Sequence, residues 1–202
     1  MKILSLWMAM LVSTSLFASG FSVDSVHSTV GFKVKYMMLS AVQGQFNAFD
    51  GQVSLDNGEP TSIVGQIDAS SIDTNNAKRD AHLRSDDFFN VAEYPYIRFK
   101  SKQIRKNDVG YVAIGDLEIH GITNQVSIPF TLLEPMVDGF GQERLALIGQ
   151  IRINRKEYGI MYSKKMDNGG LVVDNFIDID LNIQCVKKTK WSNGSIRLRQ
   201  KR

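Results

Sequence analysis

The chain has 202 residues, 43% of them hydrophobic, with 24 Lys or Arg against 21 Asp or Glu and one Cys. The formal charge of +3 misleads, because seven cations crowd residues 187–202 and one stands in the first twenty, so the body 21–186 carries a net −5. That balance argues against nucleic acid as the main partner, which needs a basic stripe on the fold itself, and a lone Cys excludes an internal disulfide, leaving burial to supply stability.

Residues 1–20, MKILSLWMAMLVSTSLFASG, have the layout of a secretory signal peptide: Lys2, a long apolar run, then small residues at Ala18 and Gly20. The apolar run 3–17 falls short of the roughly 20 residues of a comfortable membrane span. The chain is therefore expected to be exported, with cleavage after Gly20, which leaves small residues at the last and third-last leader positions. What remains fits one domain over 21–186, followed by a basic tail, 187–202, that reads as a disordered, solvated end with some affinity for anionic lipid.

Within the body, apolar and polar residues alternate with a period of two. TVGFKVKYM (29–37) sets Val30, Phe32, Val34 and Tyr36 against Lys33 and Lys35. The last such run, DNFIDIDLNIQC (174–185), sets Ile177, Ile179, Leu181, Ile183 and Cys185 against Asp178, Asp180 and Asn182. Cys185 thus falls on the apolar face, as a buried structural thiol. Six similar runs lie between them, many separated by turn signals such as Asp56-Asn57-Gly58, Asp138-Gly139 and Asn168-Gly169-Gly170. Eight half-buried strands without a repeat or internal linker predict an all-β fold, a barrel or sandwich.

Two stretches break the alternation. YMMLSAV (36–42) reads as a short apolar helical insert. DTNNAKRDAHLRSDDFF (73–89) predicts one or two helical turns, with Asp80 four residues before Arg84, Ser85 capping a further turn through Asp86 and Asp87, and Pro95 ending the segment. Helical pieces between barrel strands suggest a closed end.

Alternation alone allows two opposite barrels, one with its greasy face toward lipid and one with that face inward. The mixed charges on the polar face, the lack of an aromatic girdle and the insert at 74–90 favour the inward form. Catalytic signals are weak. The three His residues are far apart and none has metal-ligand spacing; His82 with Asp80 or Asp86 could form a base and its orienter, but Thr74 and Ser85 are poor nucleophile candidates. Arg79, Asp80, His82 and Arg84 read first as a hydrogen-bonded latch across the barrel mouth, and some of them could also face the polar end of something inside.

The segment SIDTNNAKRDAHLRSDDFFNVAEYPYIRF (71–99), together with FSVDSVHSTVGFKVKYM, GQFNAFDG, GDLEIHGITNQV and INRKEYGI in that order, resembles the YceI-like family of polyisoprenoid-binding, lipocalin-like periplasmic proteins. The resemblance covers about residues 21–186; the basic tail departs from it. It implies an eight-stranded antiparallel barrel with short helical inserts near residues 37–42 and 75–90, a long apolar tunnel, a periplasmic location and no established enzyme activity, metal or cofactor. The ligand-binding positions it implies are Phe32, Val34, Phe46, Ile67, Phe99, Leu117, Ile119 and Val126 from the strands, Met38, Leu39, Leu83 and Phe88 from the helical pieces, and Arg79, Asp80 and His82 at the polar end.

A binding or carrier role for a long-chain isoprenoid or fatty amphiphile, with a quinone among the candidates, is the leading expectation. Membrane contact would be at most transient, and a homodimer is an open option. An enzyme acting on such a lipid, with His82 as base, and a stress-related scaffold with no physiological ligand are the alternatives. Because one methylene changes binding by only about 1 to 3 kcal/mol, tolerance among prenyl and acyl chains is expected.

Overall fold

The computed structural model describes residues 19–37, 39–163 and 172–187. The proposed leader (apart from its last two residues), Met38, the Asn168-Gly169-Gly170 turn and the tail from 188 onward lie outside the described residues.

Eleven strands occur in chain order: β1 (Ser19–Val23), β2 (Thr29–Tyr36), β3 (Ser40–Phe46), β4 (Phe49–Asp56), β5 (Glu59–Asp68), β6 (Ile72–Asp73), β7 (Tyr96–Asn107), β8 (Gly110–Ile119), β9 (Ile122–Val137), β10 (Glu143–Asn154) and β11 (Val173–Lys187). β1 and β2 lie end to end along β11, and β4 and β3 lie end to end along them, so the strands form eight antiparallel staves. The remaining staves run β4-β5-β7-β8-β9-β10-β11, and the β1–β11 pairing closes the ring. Closure pairs most strand edges, while β3, paired to β2 throughout, meets its other neighbour β6 at Gln45 and Phe46.

The period of two decides which way each stave faces. On β8 the buried positions Ala113, Leu117 and Ile119 alternate with less buried ones, and the outer positions carry the ion pairs Arg98–Glu118, Lys102–Asp116 and Arg152–Asp178. A lipid-spanning barrel would turn that wall to hydrocarbon; here it bears charge and the apolar face looks inward. The β4–β5 turn is the Asn57-Gly58 pair, both at positive φ (49° and 83°), the type I′ geometry that suits a two-residue hairpin. His120-Gly121 joins β8 to β9 in the same way, at 52° and 71°, and the Tyr94 ring packs where a Gly121 side chain would stand.

One expected insert is absent. Residues 40–42 belong to β3, and the hairpin pairs Tyr36 with Ser40 and Val34 with Val42. Met37 sits at φ 50° in the hairpin turn. Cross-strand pairing on both sides of this turn offers the backbone more hydrogen bonds than an isolated helical turn of the same short length. The other insert is present: α1 (Ala77–Arg84), the one helix longer than a 3-10 turn among the described residues, followed by turns that lead to β7.

The interior holds two apolar clusters. One, at the α1 end, includes Val30, Phe46, Ile72, Phe88, Leu117, Ile119 and Tyr158. The other, at the end of the β4–β5 and β9–β10 turns, is built from Phe21, Val53, Leu55, Phe130, Leu145, Leu147 and Cys185.

Candidate ligand cavity

Between these clusters the inward side chains do not meet, and they enclose a cavity of about 660 Å³, well within the few hundred to thousand Å³ of small-molecule sites. Its floor is Val53, Ala113, Phe130 and Leu147, behind which Phe21, Leu55, Leu145 and Cys185 seal the barrel. Its middle is lined by Phe32, Ile151, Ile179 and Leu181. At the α1 end the lining runs onto Tyr36 and Val42 in the strands of the β2–β3 hairpin and then beyond the strands onto Asn76, Lys78, Arg79 and His82, and Tyr162. The cavity wall is mostly greasy, with polar side chains gathered at that rim and, on the β4–β5 side, Asp50, Gln52 and Gln66.

The rim is fastened by the first residues of the insert. Asn76 caps α1, its side chain accepting from the Arg79 N–H at 3.0 Å. Thr74, buried, donates its hydroxyl and its N–H to the Asp80 carboxylate, and accepts from Arg79 Nε at 2.8 Å, while Arg79 Nη2 donates to the Thr74 carbonyl at 2.7 Å. Arg84 reaches back to the carbonyls of Ser70 and Ile72. The expected Asp80–Arg84 support along the helix is replaced by these longer-range bonds, because both side chains find partners in the strand entering the insert. The latch exists, and it runs through Thr74 rather than through an ion pair.

His82 does not pair with Asp80 or Asp86. Its Nε2 lies 2.8 Å from Asp87 Oδ2, and its ring stands edge-on to Phe88 and Tyr162, each with centroids 5.1 Å away. Ser85 is the C-cap of α1, its N–H and hydroxyl both donating to the His82 carbonyl; the expected turn at 86–89 follows, opened by the Ser85 carbonyl, which accepts from the Phe88 and Asn90 N–H groups, rather than by the Ser85 side chain. The Ser85 and Thr74 hydroxyls, the two nucleophile candidates of this segment, are both engaged in these bonds rather than with His82.

A second rim element lies just past β10. Asn154 opens a 3-10 turn at Arg155–Tyr158 that closes on Gly159 in the left-handed region (φ 73°). Arg155 lines the cavity yet is only 4% exposed. Its guanidinium donates to the carbonyls of Ile160 (2.8 Å), Asp174 (2.9 Å) and Val173 (3.5 Å), and to Asn175 Oδ1 (3.4 Å). Burial lowers its affinity for the proton, and nearby Asp174 opposes that. Burial likewise raises the neighbouring Tyr158 phenol.

Of the positions expected to face a ligand, Phe32, Val34, Phe46, Ile67, Arg79, His82, Leu83, Phe88, Phe99, Leu117 and Ile119 line the cavity. Three others are placed elsewhere. Asp80 is buried in the latch, Val126 points inward but packs against the α1-end cluster, and Leu39 is 91% exposed at the hairpin tip. Arg155, Tyr162 and the apolar face of β11 are cavity residues that were not singled out. The β11 face was visible in its alternation; Arg155 and Tyr162 sit in turns, where no periodicity marks a side chain as inward.

The YceI-like domain family matches residues 21–185. A UPF0312 protein of Vibrio cholerae is 31% identical over 176 residues, spanning 85% of this chain and 89% of that protein. Among solved structures, Burkholderia cenocepacia BcnA superposes with a TM-score of 0.69 at 23% identity, covering 80% of this chain and 98% of its own. A polyisoprenoid binding domain from Saccharophagus degradans, implicated in plant cell wall breakdown, superposes at 0.60 with 15% identity, covering 83% and 98%. With its barrel topology and a family match over most of its length, this chain belongs to the YceI-like domain family.

Proposed function

We propose that this protein binds a long-chain amphiphile, its alkyl or prenyl tail threaded into the barrel and its head group held at the α1 rim. The observation that carries this reading is the cavity of about 660 Å³, mostly apolar along its wall, with its cationic side chains at the α1 end. Each buried CH₂ contributes about 0.8 kcal/mol, so a tail of about 20 carbons gains roughly 16 kcal/mol gross before ordering costs. A cavity left empty gives up dispersion contacts that such a tail restores. The polyisoprenoid-binding relative in fold supports the same class of ligand, and isoprenoids, fatty amphiphiles and quinones all fit a wall that reads length and greasiness rather than shape. We further propose a periplasmic carrier or store, reached through the signal-like leader, that meets the membrane only while exchanging its lipid.

Native mass spectrometry of protein purified from its source, followed by uptake of a long prenyl or acyl probe, tests this. A co-purified or readily captured amphiphile is expected, and Ile179→Trp, which fills the middle of the cavity, should abolish capture. An empty barrel that takes up no probe, or equal uptake by Ile179→Trp, overturns the reading.

A further inference from the structure

Charge on the cavity wall is unbalanced. Lys78, Arg79 and Arg155 line it, and the one carboxylate among the lining residues, Asp50, sits at an exposed position on β4. Arg79 is answered through Thr74 by the buried Asp80. Lys78, at an exposed position, and Arg155 form no ion pair among the described residues; the Arg155 guanidinium, 4% exposed, touches only neutral oxygens, two of them at 3.4 and 3.5 Å, and the nearby Asp174 carboxylate favours its charge without contacting it. A buried cation normally has an anion beside it, since desolvating it alone is expensive. Backbone carbonyls relieve part of that cost, and the space left beside Arg155 is the ligand cavity itself.

We infer that the bound amphiphile is an anion, whose carboxylate or phosphate supplies the missing counter-charge at the Arg155 and Lys78 rim. This rests on the amphiphile-binding reading and narrows it to chains that end in a charged head. A guanidinium suits such a head because its fixed fork of N–H donors matches carboxylate and phosphate oxygens. Neutral alcohols and quinones would bury the same tail and leave Arg155 without an anion in contact with it.

The test compares fluorescence-displacement affinities for four probes: a fatty acid, the fatty alcohol of equal length, a long prenyl alcohol and its monophosphate. At least about tenfold tighter binding of either anion over its own alcohol is expected, the size of one charge-assisted hydrogen bond. Which of the two anions leads separates an acyl carboxylate from a prenyl phosphate. Lys78→Gln, which disturbs no latch bond, should weaken anion binding more than alcohol binding and so narrow the gap between them. Arg155→Lys should keep part of the gap and Arg155→Met should remove it; if Arg155→Met does not fold, the Lys78 variant and the wild-type comparison still decide. Anion and alcohol binding within about threefold of each other overturns the inference while leaving the amphiphile-binding reading intact. No binding of any of the four overturns that reading instead.

Discussion

Arg144 and Arg155 stand at the two ends of β10 and are treated in opposite ways. At the sealed end, Arg144 donates to Asp138 Oδ2 at 2.5 Å, to Asp24 Oδ2 at 2.7 Å and to Gln184 at 3.1 Å, and both carboxyls are held below their usual range by it. Behind it Phe21, Leu55, Leu145 and Cys185 are all at most 4% exposed. At the α1 end, Arg155 meets carbonyls and a cavity, and the apolar side chains part. A stopper needs every charge matched and every gap filled. An entrance leaves both incomplete, because a ligand finishes them.

The largest expected effect tests whether the sealed end is sealed. Burial pushes the Cys185 thiol up to about 12, and its side chain is fully covered. Since only the thiolate reacts, alkylation at pH 8 should be at least about a thousandfold slower in the native protein than in the urea-unfolded chain. Comparable rates, read by intact mass, would mean that this end opens as freely as the other. Next in size is a pair of truncations. Phe21→Ala removes a ring from the packed stopper and should cost about 3 to 5 kcal/mol in urea unfolding while leaving probe affinity unchanged. Leu83→Ala, at the half-buried rim, should cost about 1 kcal/mol or less in stability and loosen probe retention instead. A reversal of these two patterns would erase the distinction between stopper and entrance.

The sealed end and the staves were largely legible in the sequence, and the rim was only partly so. Phe32, Phe99, Leu117 and Ile119 could be placed inward because a strand side chain's direction follows from its parity, and Cys185 because it shares the parity of Ile183. YMMLSAV misled because a short apolar run has no period long enough to separate a helical turn from a hairpin tip. In the insert, composition revealed a latch but not its wiring: Asp80 and Arg84 have the helical spacing of a pair, yet Thr74 and two carbonyls lie closer to hand. Asp87 rather than Asp86 meets His82 for the same reason, since turns after α1 have no fixed angular period. Arg155 was invisible as a cavity residue because its burial is created by two separate segments, at 155–160 and 173–175, meeting across the barrel end.

The smallest expected effect concerns acid. Arg144 is the main cause of the lowered Asp24 carboxyl, aided by His27 and the Val26 N–H and opposed by burial. A carboxyl whose folded value is depressed stabilises the fold above its ordinary value, here 3.8, and that contribution fades as pH falls through the depressed one. Asp24→Asn should therefore cost about 1 kcal/mol, or about 2 to 4 °C in Tm, at pH 7. That difference should shrink steadily below about pH 4, as calorimetry at several pH values would show. Arg155 offers the contrast, because the carbonyls it touches do not titrate and Asp174 acts through space on an Arg or a Lys alike: whatever Arg155→Lys costs in the ligand-free protein at pH 7 should persist at low pH. If both penalties vanish together on acidification, the two ends share a carboxylate network and Arg155 has a counter-ion of its own. If only the Asp24 penalty fades, the sealed end is held by charge pairing and the open end by dipoles that leave its cation for a ligand.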